Sequence, residues 1–165
     1  MFWRRDRSRS NAMNARKETL VDRMNMWFRG DENAVSFAVD LWTVMQVWDD
    51  LIDERDNVPS ENIHEAFRRL IYTIPTNPFY AAHAHEIAPL LHNTMLQWMI
   101  ANTFESDQKE GDLHKAWMLR AGVYQIFVYI AALAVDPVWA STVGPDIWRT
   151  YGETLEDFVE EMKDA

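Results

Sequence analysis

A chain of 165 residues, 48% of them hydrophobic, can bury a core without covalent staples, and its lack of cysteine excludes a disulfide framework, a thiolate metal site and a cysteine nucleophile. The net charge of −10 is unevenly placed: eight basic residues against three acidic ones give residues 1–29 a charge of +5, which leaves −15 on the rest. That split predicts a basic N-terminal arm, residues 1–15, on an acidic helical domain, residues 16–165.

The arm carries Phe2, Trp3, Arg4, Arg5, Arg7 and Arg9. Aromatic and cationic side chains together suit the acidic surface of a protein partner or of another copy of the chain, with nucleic acid as the other polyanion such an arm can take. These six are the candidate partner-binding residues. The arginines are followed by polar residues where a signal peptide needs an apolar stretch. The longest apolar run, Ala121 to Val135, is interrupted by Gln125 and is too short to span a bilayer, so it is expected to be a buried helix. The expected location is cytoplasmic or in a virion, with no membrane partner.

Beyond the arm the hydrophobic period is helical almost throughout. Lys17 to Phe28 is predicted as the first helix, with Leu20, Met24 and Trp27 inward and Arg29-Gly30 as its stop. Asp31 caps a long second helix, about Glu32 to Arg55, whose Phe37, Leu41, Val44, Met45, Trp48 and Leu51 keep a three-four rhythm. Ser60 is expected to cap a third helix with Ile63, Phe67, Leu70 and Ile71 on its apolar face. Asn77, followed by Pro78 in the first helical position, starts a fourth helical region that is expected to kink or restart near Pro89 and to reach Phe104. Asp112 is expected to cap a fifth helix that runs to about Val135, and Gly144-Pro145-Asp146 to introduce a last one. Short connections then imply an all-α, single-domain bundle of about six mostly antiparallel helices. Trp3, Trp139 and Trp148 fall near ends or breaks, where aromatic residues serve as interface anchors.

The second helix ends on Trp48-Asp49-Asp50-Leu51-Ile52-Asp53-Glu54, four carboxylates within six residues. Helical spacing puts Asp49 and Asp53 one turn apart with Asp50 beside them, an arrangement that attracts a divalent cation or a basic partner. Asn102, Ser106 and Glu110 follow downstream at four-residue intervals. The first set resembles the aspartate-rich DDxxD motif of isoprenoid synthases, and the second resembles the asparagine-serine-glutamate metal motif of terpene cyclases. The resemblance implies that Asp49, Asp50, Asp53, Asn102, Ser106 and Glu110 would hold magnesium against a diphosphate. All-α nucleotide pyrophosphohydrolases are a further metal-dependent class, with Glu61 and Glu65 as the nearest second acidic pair. His83, His85, Glu86 and His92 are weaker ligand candidates, and Glu61 with His64 has the spacing of half a di-iron motif, without a second copy.

About six helices suffice for a core but not for a core plus a prenyl pocket. The reading favoured is therefore a non-enzymatic helical assembly protein without a cofactor. The alternative is a small magnesium-dependent enzyme acting on a diphosphate. Trp48-Asp49-Asp50 and Asn77-Pro78-Phe79-Tyr80, within this composition, look like the small helical proteins encoded by tailed phages, which implies a virion or head-tail connector role.

Overall fold

The computed structural model describes residues 19–53 and 58–164, and among these the regular structure is helical, with no strand. The chain is an all-α helical bundle, and it divides after His83 into two compact units. The arm residues Phe2, Trp3, Arg4, Arg5, Arg7 and Arg9 lie outside the described residues.

In the first unit, helix α1 (19–27) closes as Arg29-Gly30 predicts. Both residues are left-handed, at φ 49° and 75°, and the Gly30 N–H bonds to the Asn25 carbonyl at 2.9 Å. Asp31 then caps α2 (Glu32–Asp53), its Oδ1 accepting from the N–H groups of Asn33 and Ala34 at 3.0 Å each. Helix α3 (Ser60–Arg68) departs from expectation at its start: Pro59 holds the N-cap position and its carbonyl accepts from Asn62 and Ile63. Ser60 is the first helical residue rather than the cap, because Pro59 sets the entry backbone by its own ring.

A larger correction concerns the face of α3. Phe67, Leu70 and Ile71 are exposed at 59%, 47% and 75%, and Ala66 and Ile74 are buried in their place. Past Phe67 the helix widens into a π turn, Arg69–Thr73, closed by a bond from the Ile74 N–H to the Arg69 carbonyl. Pro75 has no N–H for the Ile71 carbonyl and would press its ring against that carbonyl in a continuous α-helix. One extra residue in the turn relieves the clash and rotates the following face by about 100°. Arg69 lands against Asp40 of α2 and forms a largely buried ion pair with it.

The short α4 (Ile74–Thr76) ends at Asn77, which caps the next helix as predicted. Its Oδ1 accepts from Phe79 and Tyr80 at 2.9 and 3.1 Å, while its Nδ2 donates to the Asn33 carbonyl at 3.0 Å. One side chain thus starts a helix and ties it to α2. Asn77→Ala should cost about 1–2 kcal/mol, seen as a lower urea midpoint with an unchanged slope. A loss of only a few tenths would mean that water replaces both functions.

Helix α5 (Pro78–Asp107) runs through Pro89 without restarting. In the second unit its inward face buries Ile87, Thr94, Trp98 and Ala101. Left-handed Gln108 and Gly111, at φ 49° and 78°, turn the chain into α6 (Asp112–Arg120). Ala121, at ψ 7°, separates α6 from α7 (Gly122–Ala134), so the expected fifth helix is two helices. Gly122 permits the close approach of α5, since a Cβ there would meet the Thr94 methyl at 3.0 Å. By length and composition Asp112–Ala134 could cross a membrane, yet 56% of an 18-residue apolar stretch within it is buried in the fold. Val123, Tyr124, Ile126, Phe127 and Ile130 of α7 are core residues, as the apolar run predicts.

Asp136 caps α8 (Pro137–Arg149) by accepting from the Trp139 N–H at 2.7 Å. Gly144 and Pro145 do not open the last helix; both sit inside α8. Gly144 is buried opposite Val128 of α7, and the α7–α8 packing carries the helix past its proline. The last helix, α9 (Leu155–Asp164), follows a left-handed Gly152 at φ 71°. Thr154 caps it, accepting from the Asp157 N–H and donating to the Asp157 carboxylate. Phe158 of α9 packs with Ala101 and Ala116 in one core cluster.

Candidate interaction surfaces

Asp49 is buried at 5% exposure on α2, Asp50 is exposed, and Asp53 is the last residue of that helix. All three belong to the first unit, and Asn102, Ser106 and Glu110 to the second. The latter three do not form one ligand face. Asn102 is half-buried on α5, Ser106 is exposed in its last turn, and Glu110 is exposed beyond the helix end, where Gln108 has already reversed the backbone. The Asn102 oxygen accepts from the Arg120 guanidinium at 2.8 Å. A cationic side chain therefore already occupies the oxygen that a metal would share. Among the described residues, no group of three or more histidine, aspartate or glutamate side chains is placed to hold a metal ion.

Arg120 is the polar centre of the second unit, and the sequence reading missed it. It is 3% exposed, meets Glu105 through Nε at 2.7 Å and Nη2 at 2.6 Å, and lies 4.9 Å from the Trp98 ring centre. Trp98 returns a hydrogen bond from its indole N–H to the Arg120 carbonyl at 3.3 Å. The charge, the Nε–Nη2 edge of the guanidinium and the ring face are matched, and the arrangement fixes α6 against α5. A lone arginine directly before a long apolar run was the available signal.

Of the second acidic pair, Glu65 is engaged by two arginines. Glu65 takes Arg68 through two bonds of 2.7 and 2.8 Å and Arg69 at 2.8 Å. The Arg68 hydrogen bond, with both guanidinium charges, holds its carboxyl down to about 2. Glu61 and His64 are exposed, and so are His85 and His92. His83 packs on the Phe79 ring at 4.9 Å.

An open groove of about 410 Å³ lies beside α6 and the α8–α9 connection, lined by Trp117, Ala121, Trp148, Tyr151 and Glu153 among others. Trp148 is 38% exposed there, in keeping with its place at a helix end. The Tyr151 hydroxyl donates to Glu153 at 2.8 Å. Burial raises the Glu153 carboxyl above its ordinary range, against the opposing effect of the Tyr151 hydrogen bond. A carboxyl whose folded pKa is raised is best accommodated when protonated, so its contribution is full below the unfolded value and declines as pH rises through the folded one. Glu153→Gln should therefore melt higher than wild type at pH 7, and the gap should close at pH 4. A gap of the same size at both pH values would show that the carboxylate's ionisation is not the cause.

Large apolar side chains are exposed singly at Met26, Ile52, Met118, Tyr129, Val138 and Trp148, and in groups at two places. Phe67, Leu70, Ile71 and Tyr72 project from α3 and its π turn in the first unit. In the second, Met95, Leu96, Met99 and Ile100 of α5 are exposed at 49%, 44%, 56% and 47%. Contiguous patches of this kind mark binding surfaces, whereas single exposed apolar residues do not. The signal for the α5 patch was present in the sequence: from Ile87 to Phe104, 18 residues contain no aspartate, glutamate, lysine or arginine. No protein-family model, no curated protein and no solved structure matches the chain.

Proposed function

We propose that this chain is a non-enzymatic helical assembly protein, which joins a protein partner or further copies of itself through exposed apolar helix faces and through its basic arm. The observation that carries the reading is the pair of apolar groups, Phe67 to Tyr72 and Met95 to Ile100, each of which exposes four large side chains close together in the sequence. The +5 of residues 1–29 against the −15 of the remainder supplies a second, longer-range attraction between copies. A virion or head-tail connector role is the setting suggested by the resemblance to small phage proteins. The engaged state of Asn102 and Glu65 favours this reading over diphosphate chemistry.

Light scattering of the intact chain and of a chain lacking residues 1–15, at low and high salt, tests the reading. Mass above that of one chain should fall on truncation and with salt, because attraction between exposed charges is screened beyond about 8 Å at physiological ionic strength. Equal masses under all four conditions would leave the arm without a role. Millimolar magnesium should not change the melting temperature; a rise that Asp49→Asn with Asp53→Asn abolishes would transfer the assignment to the metal-dependent enzyme.

A further inference from the structure

The connection between α8 and α9 folds back on α6. Left-handed Gly152, at φ 71°, reverses the chain there. The Glu153 carbonyl then accepts from the Trp117 indole N–H at 3.2 Å, and the Glu153 carboxylate accepts from the Tyr151 hydroxyl at 2.8 Å. Four rings join in one wall: Trp117 meets Tyr151 at 5.7 Å between centres, Tyr151 meets Tyr124 at 5.6 Å, and Tyr124 meets Trp148 at 6.4 Å. Trp117, Tyr151 and Trp148 of this wall line the groove of about 410 Å³, and Glu153 is the carboxylate among its lining residues. That volume lies within the range of about 300–1,000 Å³ typical of small-molecule sites.

The Glu153 carboxylate is short of positive charge. Among the described residues no basic side chain forms an ion pair with it, and Arg149, which also lines the groove, is exposed. Glu161 of α9 buries its Oε1 without a hydrogen-bond partner, and its negative charge adds to the burial that raises the Glu153 carboxyl. Arg120, whose charge partly offsets this, is committed to Glu105 and Asn102. Residues 84–165 hold 13 acidic side chains against five of lysine and arginine, a net −8, so the field of the second unit also favours a cation.

We propose that this groove is a binding site for a small organic cation with a methylated ammonium head, held against the faces of Trp117, Tyr151 and Trp148 and beside the Glu153 carboxylate. The negative face of an aromatic ring attracts a cation, and that of tryptophan does so most strongly. The methylated head follows from the acceptors present. A primary ammonium brings three N–H donors and a tightly held water shell, and Glu153, the one carboxylate in the lining, already accepts from Tyr151. A quaternary head has no donor to satisfy. The bonds of Trp117 and Tyr151 to Glu153 hold the walls in place before binding, so little ordering is needed. The burial that makes an ionised Glu153 costly to the fold also makes a neighbouring cation favourable. This site goes beyond the assembly reading and does not depend on it.

The test is calorimetry of the full chain, at constant ionic strength, with choline and with its uncharged isostere, in which a tert-butyl group replaces the trimethylammonium head. Choline should bind with a dissociation constant of roughly a millimolar, about tenfold or more tighter than the isostere. Glu153→Gln keeps the shape and removes the charge, so it should weaken choline about tenfold and leave the isostere unchanged. Trp148→Ala, at a side chain 38% exposed, should weaken choline by about fivefold without loss of the fold. Equal binding of choline and isostere, choline binding untouched by Glu153→Gln, or no choline binding at concentrations of roughly tens of millimolar overturns the site. Methylguanidinium binding more tightly than choline overturns the methylated head in favour of an arginine side chain. None of these readouts is the mass of the chain, so failure of the site leaves the assembly reading standing.

Discussion

Arg120→Ala should destabilise the protein by roughly 3–5 kcal/mol, the range found when one partner of a buried ion pair is removed. The loss has three sources. The Glu105 carboxylate, 14% exposed, would keep its charge without its guanidinium, and Asn102 would lose the donor at 2.8 Å. The Trp98 ring would also lose the cation over its face. Arg120→Lys should recover little, because an ammonium cannot reproduce two parallel bonds to Glu105 while also reaching Asn102. Urea unfolding of the two variants and of Arg120→Ala with Glu105→Ala measures the coupling: the double variant should be less damaging than the sum of the single ones. A single-site loss below about 1 kcal/mol would show that water solvates the pair, in the manner of a surface salt bridge.

Phe37→Ala should cost a comparable amount, roughly 3–5 kcal/mol, from lost transfer energy and the cavity left behind. Phe37 is fully buried and meets Phe79 at 6.2 Å and Tyr80 at 5.2 Å between ring centres. These are the residues that follow the Asn77 cap, so the substitution removes the packing that seats the start of α5 on α2. Phe37→Leu, which retains most of the volume, should cost clearly less. Equal losses from the two would point to the aromatic contacts rather than the cavity as the main contribution.

The fold was legible wherever a local rule decides the backbone. Asp31 and Asn77 are caps whose side-chain bonds need only the next three residues, and both follow from the sequence, whereas Asp136 caps a helix that the sequence did not place. The proline and glycine breaks were harder. Pro75 reshapes the preceding turn, while Pro89 and Pro145 sit inside helices, because packing on neighbouring elements outweighs a missing hydrogen bond. The face of α3 was lost for the same reason: a one-residue π insertion is invisible to a count of threes and fours. Asp49, Asp50 and Asp53 lie on one helix as the spacing requires, but spacing could not reveal that Asn102 serves Arg120. The α5 patch has a signal in the sequence, its 18 residues without an acidic, lysine or arginine side chain, but such a run fits a core helix equally, and only the structure shows that Met95, Leu96, Met99 and Ile100 are exposed.

The proposed association of this chain is tested most directly by the mass of the unmodified protein across concentration. Sedimentation from a few micromolar to several hundred micromolar, at low salt and without added metal, should give a weight-average mass that leaves 19.4 kDa and climbs with concentration. A mass fixed at 19.4 kDa over the whole range would contradict it.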